Sequence, residues 1–385
     1  MKILMILDHE FPPDIRVENE IEALTEKGHE VHVACYTRKG LPEKEIVSEA
    51  IIHRKPISTF IYKSSVAALK FPFYFNFWKS FLNKLSKTEK FDAIHVHDLP
   101  MAKVGYEFAK KHSIPLTLDL HENWPALLRV ATHTQSFIGK ILSTNKQWVA
   151  YELDYCKKAD NIIVVVEEAK ERLISLGIEA KKIHVVSNTL NFKHFEVPQT
   201  TPDPDYFTLL YAGGINKHRG LQYVISGLKN LQNLSKPVRL WILGDGSYLE
   251  NLKQLANEKN LIDMVDFKGW KNYSDMQKYF GMSDACLIPH VKNNHTDSTI
   301  PHKLFQYMYA GKPTIASNCA PIERIVNETG SGVIYEFANP KDFALKTSDL
   351  LSNPKKISEI VENGKMAVKE KYNWGLDSKI LLSIY

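Results

Sequence analysis

Residues 207–228 have the sequence FTLLYAGGINKHRGLQYVISGL, in which three kinds of segment follow one another. An apolar run of strand length ends at Ala212, glycines and polar residues come next, and Leu221, Val224 and Leu228 then recur at helical spacing. A buried strand that leads through a glycine-rich turn into an amphipathic helix is typical of parallel sheets covered by helices. The stretch therefore predicts an α/β domain that binds ligands at the carboxyl ends of its strands.

Strand-length apolar runs and segments of helical period alternate along the rest of the chain. Val17, Ile21 and Leu24 lie on one face of a predicted helix that ends at Gly28. Two further helices are predicted at 355–371 and 374–384. The remaining strands are predicted at 3–7, 31–35, 93–96, 114–118, 162–166, 183–186, 238–243, 265–267, 285–288 and 314–316.

A change of composition separates two such series of strands and helices. Residues 192–206 contain Pro198, Pro202 and Pro204, which cannot continue a helix or a central strand. A chain of 385 residues also exceeds what one hydrophobic core usually supports. The sequence predicts two doubly wound Rossmann-like domains that face each other across a cleft. Their predicted bounds are 1–192 and 207–371, with a linker at 193–206 and a helix at 372–385 that packs back on the first domain.

Composition and charge exclude several classes of protein. Hydrophobic residues make up 44% and charged residues 24% of the chain, and the net charge is only +5 without a basic arm or nucleic-acid motif. The four cysteines lie far apart, which favours a reducing compartment. The apolar run at the N-terminus stops at Asp8, too short for a signal peptide, and no later run reaches about 18 apolar residues. These features predict a soluble, cytoplasmic protein that binds no nucleic acid.

The turn at 213–220 is the strongest local signal for a ligand. Its glycines let the backbone approach a ligand, the following helix N-terminus attracts phosphate oxygens, and Arg219 adds a bidentate donor. A glycine-rich turn with a solvated Arg219 is the alternative. Gly244 and Gly246 also follow a strand, but the third glycine of a dinucleotide fingerprint is missing, so a plain tight turn is the alternative there. No such fingerprint follows the first strand either, which argues against a nicotinamide-dependent dehydrogenase.

Histidines occur near two predicted strand ends of the first half. We expect His95 and His97 to face opposite sides of their strand, which makes His95 a core residue. His121 has polar and aromatic neighbours and is the better candidate for a hydrogen-bond donor in a site, although a surface loop has the same composition. The His-x-His spacing lacks a third ligand in the sequence, so no metal site is predicted.

Two further segments each have two interpretations. Residues 297–303 offer backbone donors and Lys303 to a sugar or phosphate, or they only cap a helix whose Leu304 enters the core. Residues 71–87 are rich in aromatic side chains beside lysines. They meet a membrane interface or a lipid-linked acceptor, or they form a buried helix around Trp78.

Taken in order, these segments resemble the family-four retaining glycosyltransferases of the GT-B fold over nearly the whole chain. His121 in Asp-Leu-His-Glu is similar to the first-domain histidine near the transferred sugar. Residues 213–220 resemble the diphosphate loop, 267–270 the segment that cradles the base, and 297–311 the donor-sugar and ribose motif.

The resemblance implies a retaining, metal-independent hexosyltransferase without a cofactor, since the nucleotide sugar is a co-substrate. The implied donor is a UDP-sugar, and the implied acceptor is a glycan or a lipid-linked glycan in cell-surface polysaccharide or glycoconjugate assembly. Membrane contact through 71–87 at the inner face of the membrane is part of this prediction. The implied site residues are His121, Asp297 and Arg219 for catalysis; Gly213, Gly214, Arg219, Gly244, Gly269, Trp270, Ser298, Thr299, Ile300, Pro301, Lys303, Leu304 and Gln306 for the donor; and Arg16, His97, Asp98 and Glu122 on the acceptor side.

The chain departs from the family pattern at four positions. Ser298 and Gln306 stand where the family has two glutamates, so we expect the adjacent Asp297 to substitute for the missing carboxylate. Gly214 stands where an arginine is usual, while Arg219 occupies the position of a lysine. A nucleotide-sugar epimerase or phosphorylase of the same architecture, or a non-catalytic sugar-nucleotide-binding partner, is the alternative function.

Overall fold

The computed structural model describes residues 1–130, 142–187, 189–196, 199–232 and 234–385. The chain forms two compact units, Met1–Asn188 with Asp377–Tyr385, and Thr189–Leu376. The predicted linker at 193–206 lies within the range of the second unit, and its residues 197 and 198, Pro198 among them, lie outside the described residues.

An eight-stranded sheet forms the centre of the first unit, in the order β3-β4-β2-β1-β5-β6-β7-β8. Only the edge strand β3 runs antiparallel to its neighbour. The strand order reverses between β1 and β5, which is where doubly wound sheets bind ligands. The strands are β1 (Lys2–Ile6), β2 (Glu30–Thr37), β3 (Lys44–Val47), β4 (Ala50–Pro56), β5 (Ala93–His97), β6 (Leu116–Leu120), β7 (Asn161–Val164) and β8 (Ile183–Val185).

Helices connect the parallel strands of this sheet, and their apolar faces pack on it. Helix α1 begins after Asp14, whose side chain accepts a hydrogen bond from the Arg16 amide, and its buried face includes Val17, Ile21 and Leu24 as predicted. The helices described here are α1 (Ile15–Glu26), α2 (Thr59–Ser64), α3 (Phe73–Leu85), α4 (Ala102–His112), α5 (Trp124–Val130), α6 (Asn145–Lys158) and α7 (Glu167–Ser175).

A six-stranded parallel sheet forms the second unit, in the order β11-β10-β9-β12-β13-β14, which reverses between β9 and β12. Its strands are β9 (Phe207–Ala212), β10 (Val238–Leu243), β11 (Val265–Gly269), β12 (Ala285–Ile288), β13 (Thr314–Ser317) and β14 (Gly332–Tyr335). The helices are α8 (Leu221–Leu228), α9 (Leu249–Glu258), α10 (Tyr273–Met282), α11 (Lys303–Tyr309), α12 (Ala320–Thr329), α13 (Pro340–Leu351), α14 (Pro354–Glu370) and α15 (Trp374–Leu382).

The predicted strands all occur, with small differences at their ends. The strand predicted at 114–118 begins only at Leu116, because the Ile114 amide closes the end of α4 on the Ala109 carbonyl. Three strands were not predicted, namely β3, β4 and β14. Among the described residues, no helix combines the length and the apolar character that crossing a membrane requires.

Candidate functional site

Five polar side chains meet in the first unit, beside the point where its strand order reverses. His95 and His97 come from β5, Asp119 from β6, His121 from the residue after β6, and Glu20 from α1. We call these five residues the histidine–carboxylate group. All five side chains are buried, with at most 5% exposure.

The prediction that His95 and His97 face opposite sides of their strand is wrong. Side chains two positions apart in a strand point to the same face. Their rings stack with centroids 4.5 Å apart. His95 is buried as expected, but it lies within a polar group rather than in an apolar core.

Asp119 lies at the centre of the histidine–carboxylate group. Its Oδ2 is 3.4 Å from His95 Nε2, 3.2 Å from His97 Nδ1 and 3.1 Å from His121 Nε2. Glu20 Oε2 lies 3.5 Å from His95 Nε2. One buried carboxylate therefore orients three imidazole rings.

Burial and mutual charge set the protonation of this group. Burial alone would lower the pKa of His121, but the Asp119 charge outweighs it and raises that pKa. Burial alone would likewise raise the pKa of Asp119, yet the charge and hydrogen bonds of the histidines, His121 first, hold it well below its usual value. Burial and the Asp119 charge raise the pKa of Glu20, and burial lowers that of His97 to about 3. These shifts favour a charged Asp119–His121 pair and make the Glu20 carboxyl easier to protonate than a solvated glutamate.

Four members of the group could supply metal ligands. Ligand atoms of Glu20, His95, His97 and Asp119 lie within 4.8 Å of one another, so the structure supplies the carboxylates that the His-x-His spacing lacked. The planes of the His95 and His97 rings, however, are only 22° from parallel in the stack. A metal ion bonds to an imidazole nitrogen near the plane of its ring, and stacked rings cannot both meet that condition at one ion. This geometry favours a group whose members share protons, and it does not favour a metal centre.

The other residues predicted on the acceptor side surround this group. Arg16 forms a bidentate ion pair with Asp14, at 3.1 Å from Nε to Oδ1 and 2.8 Å from Nη2 to Oδ2. Asp98 has a φ of 64° and donates its amide to the Asp119 carbonyl at 2.8 Å. Glu122 is half-buried directly after His121.

In the second unit, glycines allow the turns after neighbouring strands to touch. Gly213 and Gly244, after β9 and β10, have φ values of 144° and 138°. A Cβ on Gly244 would lie 2.0 Å from the Gly213 carbonyl oxygen. Gly244 donates its amide to the carbonyl of Gly269, the last residue of β11, at 2.9 Å. Only glycine permits this close packing of backbone at the carboxyl edge of the sheet.

Arg219 lies where the strand order of the second unit reverses. Gly220 follows it with a φ of 76°, and a Cβ there would lie 1.8 Å from the Pro289 carbonyl oxygen beyond β12. This contact fixes the turn against the end of β12. Arg219 Nη1 lies 3.0 Å from His290 Nε2 as a result. The half-buried guanidinium is thus held at the carboxyl edge.

Lys303 opens α11 beside the same turn. Its Nζ donates to the Ala212 carbonyl at 2.8 Å and lies 4.4 Å from the centre of the Tyr211 ring. Burial and the nearby charge of Arg219 lower the pKa of Lys303 to about 7. Among the described residues, neither Arg219 nor Lys303 has an acidic partner within 4.0 Å.

Three histidines, His218, His290 and His295, lie close to Arg219. Burial and the Arg219 charge lower the pKa values of His218 and His295, each to about 4, and burial holds that of His290 well below its usual value. The imidazoles are therefore neutral near Arg219. We call Arg219, Lys303 and these histidines the cationic group. Two cations without a carboxylate beside a glycine-lined backbone form a receptor for an anion.

The residues predicted at 297–306 differ in their contacts and in their burial. Asp297 Oδ1 accepts the Ala320 amide at 2.7 Å and so anchors the start of α12. Ser298 donates to the Asn294 carbonyl at 2.9 Å, and Gln306 donates to Tyr273 Oη at 3.0 Å. The other predicted residues here are Ile300 and Leu304, which are buried, and Thr299 and Pro301, which are half-buried.

The predicted base segment lies at the end of β11. Gly269 has a φ of 68°, and the Trp270 side chain is 73% exposed. An exposed indole beside the glycine turns is free to stack on a ring, which is the kind of contact a nucleotide base makes.

The sequence analysis missed Glu20 of the histidine–carboxylate group, His290 of the cationic group, and Tyr385, which contacts His95. Tyr385 Oη lies 2.8 Å from His95 Nδ1. Glu20 follows Val17 by three positions, so a carboxylate on the apolar face of a predicted helix was the available signal. His290 sits two residues past a predicted strand, at the edge where ligands bind.

Two family models match almost the entire chain. The model described as Glycosyltransferase Family 4 matches residues 15–193, and the one described as Glycosyl transferases group 1 matches residues 192–367. The uncharacterized glycosyltransferase MJ1607 of Methanocaldococcus jannaschii is 24% identical and is aligned over 100% of this chain and 98% of its own length. The lipopolysaccharide 1,6-galactosyltransferase of Salmonella typhimurium is 26% identical over 69% of this chain and 74% of its own.

The fold is shared with solved structures of low sequence identity. Anabaena Alr3699/HepE in complex with UDP superposes with a TM-score of 0.75, with 14% identity, over 100% of this chain and 99% of that one. This likeness confirms the predicted α/β class and GT-B architecture with two Rossmann-like domains.

Proposed function

The chain belongs to the family-4 glycosyltransferases of the GT-B fold, and we propose that it transfers a hexose from a UDP-sugar to a glycan or lipid-linked acceptor, with retention at the anomeric carbon. The observation that carries this proposal is the cationic group, in which Arg219 and Lys303 have no acidic partner within 4.0 Å among the described residues. A UDP complex of a protein of the same fold and a relative named for lipopolysaccharide galactosyl transfer support the nucleotide and the pathway class.

The second unit holds the donor in this proposal. Arg219 and Lys303 neutralise the diphosphate and stabilise the charge that it gains as it leaves, a role that a metal ion has in other transferases. Gly213, Gly214 and Gly244 let the phosphate oxygens approach the backbone, and Gly269 with Trp270 receives the base. No metal is needed because the positive charge comes from side chains.

The first unit contributes His121. The acceptor hydroxyl oxygen bonds to the anomeric carbon from the face that the diphosphate leaves, and the hydroxyl proton passes to the departing diphosphate. This front-face exchange breaks one C–O bond and forms another with retention. The Asp119 carboxylate favours the protonated form of His121 and orients its ring, so that the imidazole donates a hydrogen bond to the sugar.

Released nucleotide is the readout that tests this activity. UDP-, GDP- and dTDP-hexoses are each incubated with the native protein and candidate acceptors, with and without EDTA. We expect turnover of a UDP-sugar that EDTA does not reduce, and NMR of the product should show the anomeric configuration of the donor. His121→Ala should slow turnover by about 10²-fold or more while donor affinity stays within about twofold. Loss of activity in EDTA, or an inverted product, would contradict the proposed mechanism.

Membrane contact is proposed through a smaller surface than the predicted 71–87. Trp78 is fully buried in α3, whereas Phe60, Phe71 and Phe73 are 65%, 47% and 45% exposed and lie against one another. Exposed aromatic clusters are typical of membrane interfaces. We expect Phe73→Ser to reduce co-sedimentation with anionic liposomes, and no binding by the native protein would remove this part of the proposal. The cytoplasmic face of the membrane fits four buried cysteines that form no disulfide.

A further inference from the structure

A cavity of ≈ 450 Å³ lies within the first unit, away from the residues assigned to the donor and to His121. Strand residues Lys44, Lys55 and Pro56 line one side, and Phe81, Lys84 and Leu85 of α3 line the other. No residue of the histidine–carboxylate group contributes to it.

Three ammonium groups surround this cavity without acidic partners. Among the described residues, Lys44, Lys55 and Lys84 have no carboxylate within 4.0 Å. Lys55 Nζ donates to the Phe77 carbonyl at 3.2 Å, and burial together with the charge of Lys84 lowers its pKa. Like charges held close together are unfavourable unless an anion binds between them.

The other charged lining residues do not cancel these lysines. Arg54 Nε and Nη2 donate to the Phe11 carbonyl, and Nη1 pairs with Glu45 at 2.8 Å. His53 is neutral, because burial lowers its pKa to about 4. Glu43 is the only carboxylate of the described residues that line the cavity, against three lysines.

One face of α3 leads from the cavity towards the exposed aromatic cluster. Phe73, Phe77, Ser80 and Lys84 are spaced by four, three and four positions, so they share one face of the helix. Phe73 lies at the exposed aromatic cluster and Lys84 at the cavity, about 17 Å apart along the helix axis. Phe81 and Leu85 add an apolar wall. A ligand that fits both features has a phosphate attached to a hydrocarbon chain.

We propose that this cavity binds the phosphate group of an anionic lipid, with the lysines on the phosphate and the lipid chain along Phe77 and Phe81. The inference extends the proposed membrane contact but does not depend on sugar transfer. The two can fail separately, since a monomeric lipid can occupy the cavity without a bilayer and Phe73 is not part of the cavity.

Binding of a short-chain lipid below its micelle concentration tests the proposal. Dihexanoyl phosphatidylglycerol and glycerol phosphate are titrated separately into the full chain by calorimetry. The variant is Lys84→Gln, and the matched control is Lys87→Gln, an exposed lysine three positions further that does not line the cavity. Lys44→Gln tests the strand side independently.

We expect the lipid to bind at least about tenfold tighter than glycerol phosphate, because its chains bury apolar surface. Lys84→Gln and Lys44→Gln should each weaken lipid binding by about tenfold, and Lys87→Gln by less than about twofold. Equal affinity for glycerol phosphate would overturn the lipid part and leave a site for a free phosphate. No binding of either compound, or equal losses in Lys84→Gln and Lys87→Gln, would overturn the proposal.

Discussion

The ammonium group of Lys303 is held between the Ala212 carbonyl and the Tyr211 ring, close to the charge of Arg219. Its pKa of about 7 means that it loses its charge near neutral pH when no anion is bound. A bound diphosphate restores the charge, because the anion favours the protonated form and raises the pKa.

Donor affinity should therefore depend on pH in one direction. Above about pH 7 a proton must be taken up on binding, so affinity for a UDP-sugar falls by up to about tenfold per pH unit until the pKa of the complex is reached. Calorimetry between pH 6 and pH 9 measures the slope. Lys303→Gln should bind more weakly and show a flatter profile. A native profile as flat as that of the variant would contradict the assignment of Lys303 to the diphosphate.

Asp119 permits a prediction in the first unit. Asp119→Asn removes the charge that raises the pKa of His121 and leaves the burial that lowers it, so the pKa of His121 should fall below 6.5. In the native protein the pair stabilises the fold most between about pH 4 and pH 6.5, and this is lost at lower pH as Asp119 is protonated and at higher pH as His121 loses its proton.

The expected loss of unfolding free energy in that window is about 3 to 5 kcal/mol, the cost of leaving a buried partner uncompensated. NMR titration of the His121 ring and denaturant unfolding at pH 5.5 measure the two effects. Asp154→Asn, an exposed change in α6, is the control and should alter neither. An unchanged His121 titration would show that Asp119 does not control it.

The sequence predicted single residues of the candidate site better than it predicted the residues that contact them. His121 and Lys303 were found by motif, since each follows a strand or opens a helix at the ligand-binding edge. Glu20 and Tyr385 were not found by motif, because Glu20 contacts His95 from α1 and Tyr385 contacts it from the end of the chain. Contacts between residues 75 and 290 positions apart leave no local pattern.

Among the secondary-structure elements and their connections, the turns after β9 and β10 leave the least space for a side chain. Gly220→Ala and Gly244→Ala each place a Cβ about 2 Å or less from a backbone oxygen, at a φ that favours glycine. We expect each to destabilise the second unit by more than about 2 kcal/mol and to abolish donor binding.

Gly214→Ala is the matched control for these variants. Its Cβ would meet only the Asn216 side chain, at 3.6 Å, without a positive φ. Denaturant unfolding should give a change below about 0.5 kcal/mol for this variant. If the three alanine variants unfolded alike, the close approach of the turns would not be the reason for these glycines.

Element prediction succeeded where burial is uniform. Strands β9, β10 and β12 are apolar except for Thr208 and Arg239 and are almost entirely buried, and they occur with the bounds predicted. The edge strand β3 was missed because three of its four residues are exposed and it lacks an apolar run. β4 was missed because His53 and Arg54 are buried within it by partners that lie elsewhere in the chain.

Over the whole molecule, the end of the chain belongs to the unit in which the chain began. Residues Asp377–Tyr385 are part of the first unit, whereas the start of α15 belongs to the second. The sequence predicted that a C-terminal helix returns to the first domain, but its local sequence does not indicate which residues it contacts there. Tyr385 links that segment to His95.

Tyr385→Phe should therefore lower the stability of the first unit. The change removes the hydroxyl beside His95 Nδ1 and leaves that buried nitrogen unsatisfied, at a cost of about 1 to 3 kcal/mol. Hydrogen exchange read by mass spectrometry should increase in β5 and β6 and stay unchanged in β9 and β10. Tyr106→Phe, a half-buried tyrosine of α4, is the control. Faster exchange in the second unit alone would contradict this account.

Calorimetric titration of UDP into the native protein, Arg219→Ala and Lys217→Ala tests most directly whether the second unit holds a nucleotide diphosphate. Lys217 lies in the same turn but is exposed, and among the described residues no hydrogen bond or ion pair joins its ammonium group to the cationic group. We expect the native protein and Lys217→Ala to bind UDP with affinities within about twofold, and Arg219→Ala to bind at least about tenfold more weakly. Equal affinities in all three proteins, or no binding of UDP by the native chain, would contradict the account.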